Sequence, residues 1–388
     1  MNMAMIKIVE NKRALGRADL SAYGMETAKK ARAFHSSFPG YAPTPLRELD
    51  CLAESLKLGG IYIKDESRRF DLNAFKVLGG SFAIGSHIAS LMGEDISAFD
   101  YERMTGDEVR KTLGEQCFVT ATDGNHGRGV AWTANKLKQK SVVYMPEGTA
   151  PERLENIRKL GAKADITDPS YDDAVRRAAR DAEANGWLLV QDTSWEGYER
   201  IPALIMQGYT TMALEAVEQL GDRIPSHVFL QAGVGSMAAA VAAFMVNYYG
   251  EKRPKIIIVE PHGADCHYLT VKADDGELHP ITGHMDSMMA GLCCGEPCPI
   301  AWEILSDYAD FFASIPDSAS ANAMRKLAHP IGSDPLTVSG ESGAAGIGCA
   351  LGLSAEQKEM LGIGKDSVIL CFSTEGDTDK ENYKKIIK

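Results

Sequence analysis

The stretch Phe70-Asp71-Leu72-Asn73-Ala74-Phe75-Lys76-Val77-Leu78-Gly79-Gly80 sets a single lysine among aromatic and aliphatic neighbours. Burying an ammonium without a partner is costly, so a lysine desolvated in this way has a lowered pKa. Its amine is then a nucleophile toward carbonyls, which is the chemistry of a Schiff-base lysine. The alternative is a lysine whose stem packs while its head reaches water.

Four further loops carry residue types suited to chemistry, each following an apolar run that reads as a strand. Gln231-Ala232-Gly233-Val234-Gly235-Ser236-Met237 precedes an alanine-rich helical run. Its glycines free backbone N–H groups, and a helix N-terminus adds positive potential, so Gly233, Val234, Gly235, Ser236 and Met237 form a candidate phosphate cradle. The run is neither G-x-G-x-x-G nor a P-loop, which disfavours a dinucleotide or nucleoside triphosphate and favours a phosphate monoester. Tight helix–strand packing is the bland alternative. In Thr122-Asp123-Gly124-Asn125-His126-Gly127-Arg128 the Asn125 amide is suited to a ring hydroxyl or oxyanion. Gln191-Asp192-Thr193 brings a second carboxylate, and paired carboxylates such as Asp123 and Asp192 serve as acid and base when their surroundings separate their pKa values. Each aspartate reads equally well as a helix cap. Ser373, in Ser373-Thr374-Glu375-Gly376-Asp377, offers a hydroxyl for a ring nitrogen, with capping again the alternative. A desolvated lysine, a monophosphate loop and an asparagine for a ring oxygen together make the parts list for pyridoxal phosphate.

Placing these loops requires alternating strands and helices. Strands are expected at Gly60–Lys64, Cys117–Thr122, Ser141–Met145, Ala164–Ile166, Trp187–Val190, His227–Gln231, Lys255–Val259 and Ser367–Phe372. Helices are expected at Met25–Phe34, Arg47–Leu56, Asn73–Met92, Val130–Leu137, Pro151–Leu160, Tyr171–Ala184, Ile201–Leu220, Gly235–Tyr249, Ala321–Leu327 and Gly343–Leu351. This rhythm predicts α/β domains with mostly parallel sheets covered on both faces, and ligands at the carboxyl ends of the strands. The polar segment 93–115 reads as an insertion.

At 388 residues the chain suggests two domains, and 45% apolar with 24% charged residues is a globular composition. A net charge of −12 without a basic patch argues against nucleic acid. No window has the length of a signal peptide's apolar run or a membrane helix, so a cytoplasmic protein is expected. Eight cysteines are too few for a disulfide scaffold. Cys293, Cys294 and Cys298 lack the paired spacing of a zinc site, so no metal is expected, and Cys117, Cys349 and Cys371 read as core.

Taken in order, Thr44-Pro45-Leu46, Lys64-Asp65-Glu66, Phe75-Lys76, Gly124-Asn125-His126-Gly127 and Gly233-Val234-Gly235-Ser236 resemble the fold type II, tryptophan-synthase-β-like pyridoxal-phosphate enzymes. Within them the chain is most similar to the diaminopropionate ammonia-lyase family. Leu72-Asn73-Ala74-Phe75-Lys76, Thr122 through Trp132, Gln191-Asp192-Thr193, Met289-Ala290-Gly291-Leu292, Ser339-Gly340-Glu341-Ser342-Gly343 and Ser373 through Asp379 carry that resemblance over about residues 40–380. Threonine and serine dehydratases usually have Ser-Phe-Lys at the lysine and a small residue where Asp123 stands.

The resemblance implies two three-layer α/β/α domains with the cofactor between them. A large domain would comprise 1–77 with 199–388 and a small one 78–198, in a homodimer. It implies α,β-elimination of D- and L-2,3-diaminopropionate to pyruvate and ammonia. Lys76, following Phe75, would hold the cofactor, and Ser373 would face its pyridine nitrogen. Asp123 and Asp192 would take the Cα proton from the D- and L-isomers. A serine or threonine dehydratase is the alternative enzyme, and a catalytically silent cofactor-binding protein is a third reading. The physiological substrate and the roles of Cys266, Cys293 and Cys294 stay open.

Overall fold

The computed structural model describes residues 5–122, 124–168, 170–283 and 285–388. Strands β1 (Lys7–Glu10), β2 (Leu46–Glu48) and β3 (Gly60–Asp65) come first in the chain. They are followed by β4 (Cys117–Ala121), β5 (Lys140–Pro146), β6 (Lys163–Asp168) and β7 (Leu188–Leu189). The last are β8 (His227–Gln231), β9 (Lys255–Pro261), β10 (Phe311–Ile315) and β11 (Val368–Ser373). The chain forms two compact units, one of residues up to Met25, Pro43–Ala74 and Met212–Lys388, the other of Glu26–Ala42 and Phe75–Thr211.

The first unit holds a seven-stranded sheet in the order β1-β10-β9-β8-β11-β3-β2. The five inner strands run parallel, and only the edge strands β1 and β2 are antiparallel. Side chains alternate between faces along a strand. Phe229, Ile257, Ile369 and Cys371 accordingly join one apolar cluster, while Val228, Leu230, Ile256, Ile258 and Leu370 are buried on the other face. Covered faces are what parallel strands require, and they explain why these strands read as continuous apolar runs. The parallel run puts the carboxyl ends of β8, β11 and β3 on one edge.

The second unit is a four-stranded parallel sheet, β6-β5-β4-β7. Alternation along β5 again separates two cores. Val142 and Tyr144 pack with Ala174, Ala178 and Ala182 of the helix Tyr171–Asn185. Val143 and Met145 pack with Ala131 and Ile157 on the opposite face. The unit is therefore helix, sheet, helix. Close approach here needs glycine: a Cβ on Gly129 would stand 2.8 Å from the Val77 Cα.

Several elements differ from the sequence expectation. The helix expected from Asn73 begins at Val77, because Asn73 is left-handed at φ 59° and cannot join a right-handed helix. Residues 47–56, expected as one helix, divide into β2 and the helix Asp50–Ser55, since Leu46–Glu48 pair with β3. Strands β1 and β10 were not anticipated; Lys7–Glu10 is too short and polar to signal pairing alone. Cys117, expected in the core, is only half-buried at the amino end of β4.

Four charges are buried under the sheet of the first unit. Arg69 donates to Glu66 at 2.8 and 2.9 Å and to Glu215 at 2.9 and 2.7 Å. Lys64 pairs with Glu215 at 2.7 Å and donates to the Thr44 carbonyl at 2.6 Å. Thr44 Oγ1 completes the cluster by donating to Glu66 at 2.5 Å. Burial would raise the Glu215 carboxyl, but Arg69 and Lys64 more than reverse that and hold it at about 2. A depressed folded-state pKa stabilises the protein above the unfolded value and is lost as pH falls through the folded one. Stability should therefore decline as pH drops from about 4.5 toward 2. Glu215→Gln, which takes the carboxylate paired with the buried Lys64 and one of the two that Arg69 holds, should cost about 3–5 kcal/mol in urea unfolding at pH 7 and flatten that acid limb.

Candidate active site

In the second unit, β4 and β7 are parallel neighbours, so the turn after β4 and the segment after β7 emerge at the same edge. Thr122 begins the first. Its Oγ1 accepts the Gly124 and Gly127 N–H groups at 2.9 and 3.1 Å, capping the helix Asn125–Lys136. Asn125 opens that helix, half-buried. Asp123 lies outside the described residues. Gln191 and Asp192 follow β7. Gln191 ties this segment down: its Oε1 accepts from Thr120 Oγ1 at 3.0 Å and Ala121 N at 3.1 Å, while its Nε2 donates to Tyr171 at 2.7 Å.

Lys76 stands at the N-cap of the helix Val77–Leu91, and its Nζ donates to Asp192 Oδ2. Its side chain is 22% exposed and that of Asp192 7%. The lysine is thus neither deeply buried nor simply solvated; it is held by a carboxylate. His126 donates from Nε2 to the Val190 carbonyl at 2.7 Å, which turns Nδ1 to within 3.9 Å of Asp192 Oδ2. Burial would raise the Asp192 carboxyl, but the Lys76 ammonium and the His126 ring more than offset it and hold the group below the usual carboxylate range. An ionised carboxylate beside the lysine amine can accept a proton from a bound molecule. Phe75 packs on the buried Tyr209 with ring centroids 4.8 Å apart, which orients the residue before the lysine.

In the first unit, the turn after β8 leads into the helix Ser236–Tyr249, with Gly235 left-handed at φ 97° as N-cap. Ser236 and Met237 form its first buried turn, and the Val234 carbonyl is fixed by the Cys298 N–H at 2.8 Å. A Cβ on Gly233 would meet Cys294 Sγ at 3.0 Å. A glycine turn leading into a helix start suits an anion. Ser373 ends the neighbouring strand β11, 1% exposed, and donates to Ser339 Oγ at 2.7 Å. Ala74 bridges to Glu375 and the Asn73 carbonyl accepts the Gly376 N–H at 3.0 Å. Asn73, Asp71 and Phe70 are all left-handed, at φ 59°, 58° and 50°. Strain of this kind costs about 1–3 kcal/mol per residue and persists only where surroundings impose it.

The pyridoxal-phosphate dependent enzyme family model matches residues 37–375. Diaminopropionate ammonia-lyase of Salmonella typhimurium is 47% identical over 95% of this chain and 94% of its own length. That of Escherichia coli is 46% identical over 98% and 96%. The crystal structure of the Escherichia coli enzyme with an aminoacrylate–pyridoxal-phosphate azomethine reaction intermediate has a TM-score of 0.92 at 44% identity, covering 99% of this chain and 97% of that one. The chain belongs to the diaminopropionate ammonia-lyase family.

The cofactor of this family is pyridoxal phosphate, and residue types suited to it are present: an amine, a glycine turn at a helix start, and a buried hydroxyl. The first unit carries the turn and Ser373 on adjacent strand ends, and the second carries Lys76, Asp192 and Asn125. Sequence reasoning gave no role to Thr122, Tyr171, Tyr209 or Ser339, and the last three act on the named residues from a distance in the chain. Only Thr122, a hydroxyl two residues before a glycine, carries a local capping signal. Glu260, Cys266 and His267 cluster as three potential ligand atoms. The Glu260 carboxylate is already engaged by three N–H groups, so the cluster reads as a helix cap rather than a metal site.

Thr122→Val would leave two buried N–H groups without their acceptor. It should cost about 1–3 kcal/mol in chemical denaturation and loosen the turn carrying Asn125, weakening cofactor retention on dialysis.

Proposed function

We propose that this protein catalyses α,β-elimination of 2,3-diaminopropionate, consuming one water and yielding pyruvate and two ammonia molecules. The observation that carries the reading is identity of 46–47% over nearly the whole chain with diaminopropionate ammonia-lyases, and the Lys76–Asp192 pair supports it. When bound, pyridoxal phosphate supplies an electron sink that acidifies the Cα–H of an attached amino acid. Lys76 would hold the cofactor through its amine. Gly233, Val234, Gly235, Ser236 and Met237 hold the phosphate through backbone N–H groups and the helix N-terminus. Asn125 orients the ring through its hydroxyl oxygen. Ser373 would face the pyridine nitrogen as a neutral partner, which suits elimination over transamination. Asp192, kept anionic by its surroundings, takes the Cα proton of the L-isomer. Asp123 takes that of the D-isomer, since enantiomers present this proton on opposite faces. The β-amino group leaves with a proton as ammonia, and the released enamine hydrolyses to pyruvate and the second ammonia.

The whole works as a cytoplasmic homodimer, a state supported by the family's typical assembly. Among the described residues no helix is long and apolar enough to cross a membrane.

The test is pyruvate release from D- and L-diaminopropionate beside D- and L-serine, since the Escherichia coli relative has been crystallised with D-serine. Diaminopropionate should be the better substrate in both configurations. Asp192→Asn should lower the L-activity by roughly 10²–10⁴-fold and Asp123→Asn the D-activity by a similar factor. Equal loss of both activities in each variant would remove the two-base assignment, and preference for serine would favour a dehydratase. Size-exclusion chromatography with light scattering should give twice the 42.0 kDa chain mass.

A further inference from the structure

The glycine turn of the first unit rests on a buried pair that the reaction scheme does not use. Glu260 lies near the end of β9 and is fully buried. One of its oxygens accepts from His267 N at 3.0 Å and His267 Nδ1 at 2.7 Å; the other accepts from Tyr268 N at 2.7 Å. The carboxylate thereby caps the helix Cys266–Ala273 and fixes which edge of the imidazole it holds. Among the described residues His267 is its only ion-pair partner.

The ring is equally constrained on its faces. Trp302 stands 5.7 Å away between centroids, and Phe312 lies nearly parallel at 6.5 Å and 16°. With Nδ1 committed to Glu260, Nε2 points the other way. It is fully buried and, among the described residues, has no hydrogen-bond partner. What it faces is Gly235: a Cβ there would stand 2.9 Å from Nε2 and 3.4 Å from Cε1. Gly235 is the left-handed residue that turns the chain from β8 into the helix behind the candidate phosphate site.

A ring with three fixed contacts and a buried, unsatisfied nitrogen against a glycine is a costly arrangement to keep for packing alone, because an apolar ring would fill the space without the orphaned polar atom. We propose that His267 is a positioning residue for the phosphate turn. Held by Glu260, it presses its Nε2 edge against Gly235 and keeps the turn in the left-handed geometry that aims its N–H groups at the phosphate. The proposal rests on the reading that residues 233–237 bind that phosphate. Preorganised donors bind tightly because no ordering cost is met on binding.

The test uses full-length apoenzyme titrated with pyridoxal phosphate, together with the ³¹P resonance of the bound cofactor. His267→Asn keeps an amide N–H near the Nδ1 position for Glu260 and deletes the edge facing Gly235. Glu260→Gln keeps the ring and weakens its anchor. Gly235→Ala tests the turn itself. All three should weaken cofactor binding, His267→Asn by roughly tenfold, and shift or broaden the ³¹P line, with the far-ultraviolet circular dichroism of the apoenzyme unchanged. If Gly235→Ala weakens binding while His267→Asn and Glu260→Gln match the wild type in affinity and ³¹P shift, the positioning role is overturned and the phosphate reading stands. If Gly235→Ala changes neither quantity, the phosphate reading falls and the positioning role with it.

Discussion

The buried cluster of Lys64, Glu66, Arg69 and Glu215 is the constraint on which the approach to the lysine depends. Two cations and two anions, none more than 1% exposed, cancel in a region without solvent. Unpaired, any of them would be expelled or neutralised; together they hold β3, the segment after it and the chain at Thr44 to one another. That grip lets Phe70, Asp71 and Asn73 remain left-handed, and Asn73 is further tied by its amide to Asp377 at 2.9 Å. Phe75 and Lys76 follow this strained and fully specified run immediately in the chain. Asp65, the middle residue of Lys64-Asp65-Glu66, works separately, accepting from Ser67 N at 3.1 Å and Arg47 Nε at 3.1 Å.

The two units use one device twice. Each has a run of parallel strands whose carboxyl edge leads into helix starts, and each places its polar groups there. In the first unit these are the glycine turn and Ser373; in the second, the Thr122–Asn125 turn, Gln191 and Asp192. Parallel pairing is what makes neighbours of residues far apart in sequence, since adjacent strands end together. The electrostatics follow from the same placement. Asp192 is buried enough to interact strongly with Lys76 and His126, and those partners keep it anionic despite the burial. A carboxylate held in this way can accept a proton without first losing one.

Most of the parallel strands were legible because strands covered on both faces are continuous apolar runs bounded by polar turns, as in His227–Gln231 and Val368–Ser373. Short pieces were not. Lys7–Glu10 and Leu46–Glu48 pair at the sheet's edges, where partners supply the hydrogen bonds and the sequence needs little propensity of its own. The helix before Leu91 was read four residues too early, because Asn73, Ala74 and Phe75 suit a helix locally. Their backbone is instead set by the bridge to Glu375 and by Arg69 upstream.

The residue types in each post-strand loop determined, by themselves, which chemistry was available: an amine, carboxylates, a glycine turn, a neutral hydroxyl. That holds because reactivity belongs to functional groups, and strand-to-helix turns expose them in every open α/β sheet. Only the tertiary structure decided how those groups are held. It paired Lys76 with Asp192, turned the His126 ring toward the same carboxylate, set Ser339 against Ser373 and pressed His267 on Gly235. These pairings join residues 32 to 116 positions apart. Such contacts follow from sheet register and from the need to satisfy every buried polar group, neither of which is written in any local pattern.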